Sequence, residues 1–296
     1  MSPPKRGGRK PPPNRSGGHR HAPVSPHRAP AAARGLGGDQ VEGRQAVREL
    51  LLSGRRVREL WVATDLDDAS VVDEILELAR EMRITVREVS RNKMAAEART
   101  DAPQGVLAKA VPLHEVELDD LAKARHANGG KPFLIVADGV TDPGNLGALL
   151  RSASCAGATG VVLPRHRAVH ITPTVAKAAA GAIEHLPMAL VGGIPNALAR
   201  LRDLGVWVVG LDMVADRTLF ELGDVAREPI ALVLGAEGRG ISRLTRQRCD
   251  VVVRIPLVGP LESLNVATAG AVACYEVTRQ RMPGSVEPEV GIEPTT

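Results

Sequence analysis

From residue 133 onward, short and almost unbroken apolar runs alternate with segments of helical spacing. The runs fall at 133–137, 160–163, 188–191, 206–209, 230–234 and 251–253. Strands that are apolar throughout, rather than at every second position, are covered on both faces. That predicts an α/β fold with a parallel sheet between two layers of helices. Ahead of this region lies a smaller α/β pattern. Helical spacing at 41–52 (Ala46, Val47, Leu50, Leu51) is followed by a strand at 60–63 and an amphipathic helix at 71–82 with Ser70 as its cap. Further strands are expected at 84–86 and 106–108. The division expected is a small domain at 38–112, a polar linker at 113–131 holding Asn128-Gly129-Gly130, and a sheet domain at 132–282.

Three polar loops follow predicted strands, where parallel sheets bind their ligands. The first runs from Asp138 through Pro143, Gly144 and Asn145 into a helix that carries Arg151. Asn145 is suited to cap that helix, and a guanidinium at Arg151 can fork onto a phosphate or ribose oxygen. The plainer reading is a cap and a surface arginine. The second, Gly235-Ala-Glu237-Gly-Arg-Gly240, lets a backbone approach a ligand closely. It is neither a dinucleotide fingerprint nor a P-loop, since Glu237 takes the place of the second glycine and no Gly-Lys-Ser/Thr follows. Glu237 can accept hydrogen bonds from a ribose or amino group, or be a solvated residue of a glycine turn. The third loop, 255–267, is shaped by Pro256, Gly259 and Pro260 and carries Glu262, Ser263 and Asn265 at the mouth of an alanine-rich helix. Ser263 is either part of a ligand site or that helix's cap. No Gly-x-Ser-x-Gly elbow surrounds it, which argues against a serine nucleophile.

Composition narrows the class. Residues 1–36 hold eight of the 38 basic residues and no acid, leaving 30 basic against 34 acidic residues in the rest of the chain. This Pro/Gly/Arg-rich stretch is expected to be a disordered tail over 1–37, either an RNA tether or a solubilising extension. A polar, disordered end is likewise expected at 283–296. In the small domain, Arg55, Arg56, Arg58, Arg91 and Lys93 present a candidate substrate-binding face, or simply scattered surface charge. No apolar run is long enough to span a bilayer. The three cysteines, Cys155, Cys249 and Cys274, have no CxxC spacing, so a disulfide or zinc framework is not expected and a reducing cytoplasm is.

Taken together, Asn145-x-Gly147-x-x-x-Arg151, Gly235-x-Glu237-x-x-Gly240 and Ile255-Pro256 through Gly259 to Ser263-Leu-Asn-Val266 resemble, in order and separation, the three motifs of the SpoU (TrmH-type) branch of the SPOUT RNA methyltransferases. The unit opening Val41-Glu-Gly-Arg resembles the substrate-binding domain, related to ribosomal protein L30e, that many members carry. The likeness covers about residues 38–282. Leu257 stands where Met is usual and Ala267 where Ser is frequent; neither change removes a polar group assigned to chemistry. The resemblance implies a trefoil knot that builds an S-adenosylmethionine pocket from Gly210, Leu211, Gly235, Ile255 and Leu264. It implies a catalytic and RNA-facing cluster of Asn145, Arg151, Glu237, Ser263 and Asn265, and a homodimer for which the apolar helix over 266–277 is a contact face. The implied reaction is attack of a ribose 2′-hydroxyl on the sulfonium methyl, without a metal. The two-domain form is most similar to members that methylate guanosine in 23S rRNA. The alternatives are a tRNA 2′-O-methyltransferase and a non-catalytic RNA-binding or ribosome assembly factor.

Overall fold

The computed structural model describes residues 35–282 apart from 65, 67–69, 126–128 and 167–168. The expected tails therefore lie outside the described residues, except at 35–37. There Leu36 is buried and Gly37 bridges Ile171, so these residues pack against the fold.

The first sheet contains β1 (Gln40–Glu42), β2 (Val57–Ala63), β3 (Val86–Val89) and β4 (Val106–Ala110), in the order β1-β4-β2-β3. Only β2 and β3 run parallel. Helices α1 (Arg44–Leu52), α2 (Ser70–Glu81) and α3 (Arg91–Glu97) accompany it. The helix expected at 41–52 thus begins as a strand. Glu42 explains why: its buried carboxylate accepts from Gln40 Nε2, Arg99 N, Thr100 N and Thr100 Oγ1, partners that fix Gln40–Glu42 as an edge strand.

The second sheet has seven strands: β5 (Phe133–Asp138), β6 (Gly160–Pro164), β7 (Met188–Val191), β8 (Trp207–Leu211), β9 (Arg217–Thr218), β10 (Ile230–Gly235) and β11 (Val251–Arg254). Every pairing is parallel, in the order β7-β6-β5-β10-β8-β11-β9. Period-2 alternation sends Phe133, Ile135, Ile230, Leu232 and Leu234 to one core and Leu134, Val136, Ala231 and Val233 to the other. Helices α5 (Pro143–Cys155), α6 (Pro173–Ala178) and α9 (Val266–Arg281) cover the first face; α4 (Leu118–Lys123) and α7 (Ile194–Asp203) cover the second, and α8 (Arg243–Arg246) precedes β11. Segment 113–131 is therefore more than a polar connection, since α4 buries Leu121 against this sheet and Glu115 bridges Met188.

The two sheets share one core. Arg55, read from the sequence as surface charge on a substrate-binding face or merely scattered, is instead a strut between them. Its guanidinium forks onto Glu184 at 2.8 and 2.7 Å and donates to the carbonyls of Gly38 and Val111, while the Glu184 side chain is 1% exposed. Arg56, Arg58, Arg91 and Lys93 are exposed.

Candidate active site

Strands β5, β10, β8 and β11 are neighbours, and their carboxyl ends release the loops at 139–142, 236–240, 212–216 and 255–265 side by side. The sheet thus gathers segments that are far apart in sequence onto one edge.

Each loop is set by local chemistry. Helix α5 is capped by Asp142, whose side chain accepts from Asn145 N at 2.7 Å, with Pro143 at its first position. Asn145 is therefore not the cap, contrary to expectation, and its side chain is free to do something else. After β10 the chain doubles back, with Ala236 and Gly240 exchanging backbone hydrogen bonds at 3.1 and 3.0 Å. Gly240 takes φ +64, a left-handed conformation suited to glycine. A Cβ on Gly235 would lie 2.0 Å from Gly240 C and O, so only glycine lets this hairpin fold against its own strand.

Helix α9 is capped by Asn265 rather than Ser263. Its Oδ1 accepts from Ala267 N at 2.9 Å and Thr268 N at 3.3 Å. That fixes the amide's orientation, because the oxygen must face the helix amides. Its Nδ2 then donates to Asn145 Oδ1 at 2.8 Å and to Glu237 Oε1 at 2.6 Å. One amide joins all three loops.

Beside this junction is a cleft of about 630 Å³ counted out to its open mouth. Leu211, Gly235, Glu237, Ile255, Ser263 and Leu264 line it, all of them singled out from the sequence. Gly210 does not. The space its Cβ would occupy is filled by Ile241 and by Cys249, 2.7 and 2.8 Å away, so this glycine lets a helix-side layer close under β8. Burial, with a contribution from Asp250, pushes the Cys249 thiol up to about 12, which keeps it protonated and without nucleophilic character. Sequence reasoning missed Asp212, which also lines the cleft, accepts from Val214 N at 3.1 Å and pairs with Arg246 at 2.7 Å. Its signal was available: an acid directly after a strand, in the position that made the other loops candidates.

Arg151 stands apart. It is exposed on α5, six residues beyond Asn145, hence about 9 Å further along the helix axis. It does not line the cleft. One side of α9 packs within the chain, where Gly270 lies against Leu149 of α5 and Ala273, Cys274 and Val277 are buried, while Tyr275 on the same helix is exposed. Among the described residues no cluster of three metal-ligating side chains occurs and no helix is long and apolar enough to cross a membrane.

Residues 132–275 match the SpoU rRNA methylase family, and residues 40–116 match the RNA 2′-O ribose methyltransferase substrate-binding family. A putative TrmH family tRNA/rRNA methyltransferase of Bacillus subtilis, YacO, is 40% identical over 83% of this chain and 97% of its own. The 23S rRNA (guanosine-2′-O-)-methyltransferase RlmB of Pseudomonas aeruginosa is 39% identical over 83% and 98% respectively. The crystal structure of the SpoU methyltransferase AviRb of Streptomyces viridochromogenes in complex with AdoMet superposes with a TM-score of 0.69 at 26% identity, covering 82% of this chain and 89% of that one. With both halves matched and near full-length relatives at this identity, the chain belongs to the SpoU rRNA methylase family.

Proposed function

We propose that this protein methylates ribose 2′-hydroxyls of RNA with S-adenosylmethionine as the donor, and that its substrate is a guanosine of 23S rRNA. The observation that carries the reading is the Asn265 amide, which ties Asn145 and Glu237 together at the mouth of a glycine-walled cleft. The cleft fits the cofactor. Leu211, Ile255 and Leu264 offer apolar surface to an adenine, and the Gly235–Gly240 hairpin exposes backbone where a side chain would intrude. S-adenosylmethionine, when bound, supplies a methyl group already activated on a positively charged sulfur.

What the chain must add is alignment and an exit for the hydroxyl proton. Glu237, held by Asn265, gives the incoming ribose a fixed acceptor. Ser263 and Asn145 supply further hydrogen-bonding groups at the same mouth. A guanidinium already carries its full set of protons and has no acceptor, so Arg151 is not the base. Its role is to grip a phosphate beside the target and lower the hydroxyl's proton affinity electrostatically. Its position outside the cleft supports a homodimer in which α5 of one protomer faces the cleft of the other. Exposed Phe220 and Tyr275, on adjoining elements, are apolar surface for such a pairing. Domain boundaries at 112/113 and 131/132, the trefoil knot and a cytoplasmic setting belong to the same proposal.

The test is incubation of the full chain with methyl-labelled S-adenosylmethionine and, separately, 23S rRNA and total tRNA, followed by nucleoside analysis. Label in 2′-O-methylguanosine from 23S rRNA is the expected result. Label in tRNA alone would move the substrate. No transfer to any RNA, with RNA bound, would favour an assembly factor.

A further inference from the structure

At the opposite ends of the strands from the cleft lies a second concavity. Strand β8 ends at Leu211 in the cleft and starts at Trp207 in this groove, so the two are roughly 13 Å apart at about 3.3 Å per residue. The groove encloses about 810 Å³ counted out to its open side. Its functional side chains are Trp207, Arg202, Asp203, Arg248 and Asp250.

Three features make it more than a surface dent. The chain has only two tryptophans; Trp61 is 6% exposed, whereas Trp207 is 41% exposed. A large aromatic side chain left two-fifths exposed in a concavity is apolar surface on which a planar ligand can pack. Asp250 is used up within the protein, pairing with Arg202 Nε at 2.7 Å and accepting from Val208 N at 2.9 Å, which holds the Arg202 guanidinium against the groove wall. Arg248 and Asp203, by contrast, are exposed, and among the described residues neither side chain makes a hydrogen bond or salt bridge.

We infer that this groove binds one unpaired guanine nucleotide of the RNA substrate. The groove combines a stacking plane, a carboxylate and guanidinium groups, and its two arginines are balanced by two aspartates, so it is not built to attract a phosphate chain by charge alone. Guanine matches that set: its face stacks on Trp207, its N1–H and N2–H₂ donate to Asp203, and its O6 and N7 accept from Arg248. Adenine lacks the N1–H and O6, and the pyrimidines offer a smaller plane. The site would hold an RNA segment that passes around the sheet from the target ribose, and so the inference rests on the RNA methyltransferase reading.

The experiment is calorimetric titration of the full chain with GMP, AMP, CMP and UMP, with S-adenosylhomocysteine saturating the cleft. It is repeated with Trp207→Leu and Asp203→Asn, both exposed positions whose thermal melts should match wild type. GMP should bind several-fold more tightly than the others. Trp207→Leu should weaken it about 10-fold, the lower range of a lost base stack, and Asp203→Asn should bring GMP level with AMP. In methylation assays Trp207→Leu should raise KM for rRNA about 10-fold, with kcat and KM for S-adenosylmethionine unchanged. GMP binding that survives Trp207→Leu, absence of GMP binding, or an unaltered KM for rRNA would each overturn the inference. Methyl transfer by the wild type is read independently, so loss of the groove and loss of the enzyme reading are separate results.

Discussion

Replacing Gly235 by alanine should damage the cleft through space rather than through backbone strain. Gly235 is absent from the residues with positive φ, so an L side chain is conformationally acceptable there. The added Cβ, however, would sit 2.0 Å from Gly240 C and O and 2.3 Å from Ile241 N. Carbon atoms rest about 3.5–4.0 Å apart, so the hairpin must retreat by on the order of 1 Å. The obstacle is main chain, which cannot rotate out of the way. Forced overpacking of this kind costs about 1–3 kcal/mol, equivalent to a fall in Tm of roughly 2–12 °C for a chain of this size. A 1 Å displacement at a reacting centre also costs about 100-fold in rate. Gly238→Ala is the control. Gly238 has φ +72 and nothing within 4 Å of its Cβ, so it pays about 1–2 kcal/mol of left-handed strain but pushes on nothing. Calorimetric titration with S-adenosylmethionine, together with melting curves, distinguishes the two. Gly235→Ala should lose at least about 10-fold in cofactor affinity, on the scale of the 1–3 kcal/mol overpacking cost, and Gly238→Ala should lose much less. Wild-type affinity in Gly235→Ala would refute the assignment of this hairpin as the cofactor wall.

Four further outcomes follow from the same geometry. Asn265→Ala removes the α9 cap and the bridge together; urea unfolding should show a loss of about 1–2 kcal/mol, and initial-rate assays a fall in kcat of about 100-fold. Unchanged kcat would separate the bridge from catalysis. Arg281 donates to the carbonyls of Ala226, Lys131, Pro132 and Glu228 at 2.6–3.1 Å and lies over the Phe133 ring, so Arg281→Ala should cost about 2–4 kcal/mol in urea unfolding, and a midpoint equal to wild type would contradict it. Burial pushes the Cys249 and Cys274 thiols up to about 12, above their ordinary 9.0; their contribution to stability is complete below pH 9 and lost as pH rises from there towards 12, by about 1.4 kcal/mol each at pH 10, so melting curves of Cys249→Ala should decline less steeply above pH 9 than wild type. Arg151→Lys should keep measurable turnover in the labelled-methyl assay, because a cation remains to hold phosphate; complete loss with RNA and cofactor still bound would assign Arg151 a stricter role.

What could be read from the chain follows the physics of burial. The six short apolar runs were legible because a parallel strand covered on both faces has no polar positions to interrupt it, and all six are strands of one sheet. Gln40–Glu42 was not legible, since the donors that stabilise Glu42 as a buried strand residue come from Arg99 and Thr100, 57 and 58 positions away. Arg55 looked like surface charge because nothing local reveals Glu184, 129 residues on. The caps were a nearer miss. Asp142 and Asn145 are both good N-cap residues, but Pro143 between them belongs at the first helical position and so points to residue 142.

The misassigned caps bear directly on the chemistry. Had Asn145 capped α5, its side-chain oxygen would have been turned toward the backbone amides of its own helix rather than toward Asn265. With Asp142 in that role, Asn145 keeps its oxygen for the amide that also holds Glu237. Conversely, Ser263 was the residue expected as the alternative cap of α9, yet the oxygen of Asn265 starts that helix and thereby orients the nitrogen that builds the junction. An aspartate at 265 would cap the helix equally well but would bring a second carboxylate against Glu237 in place of a donor. Asn265→Asp should therefore unfold like wild type in urea while methyl transfer falls nearly as far as in Asn265→Ala. If Asn265→Asp retained wild-type kcat, the amide would be a helix cap and nothing more.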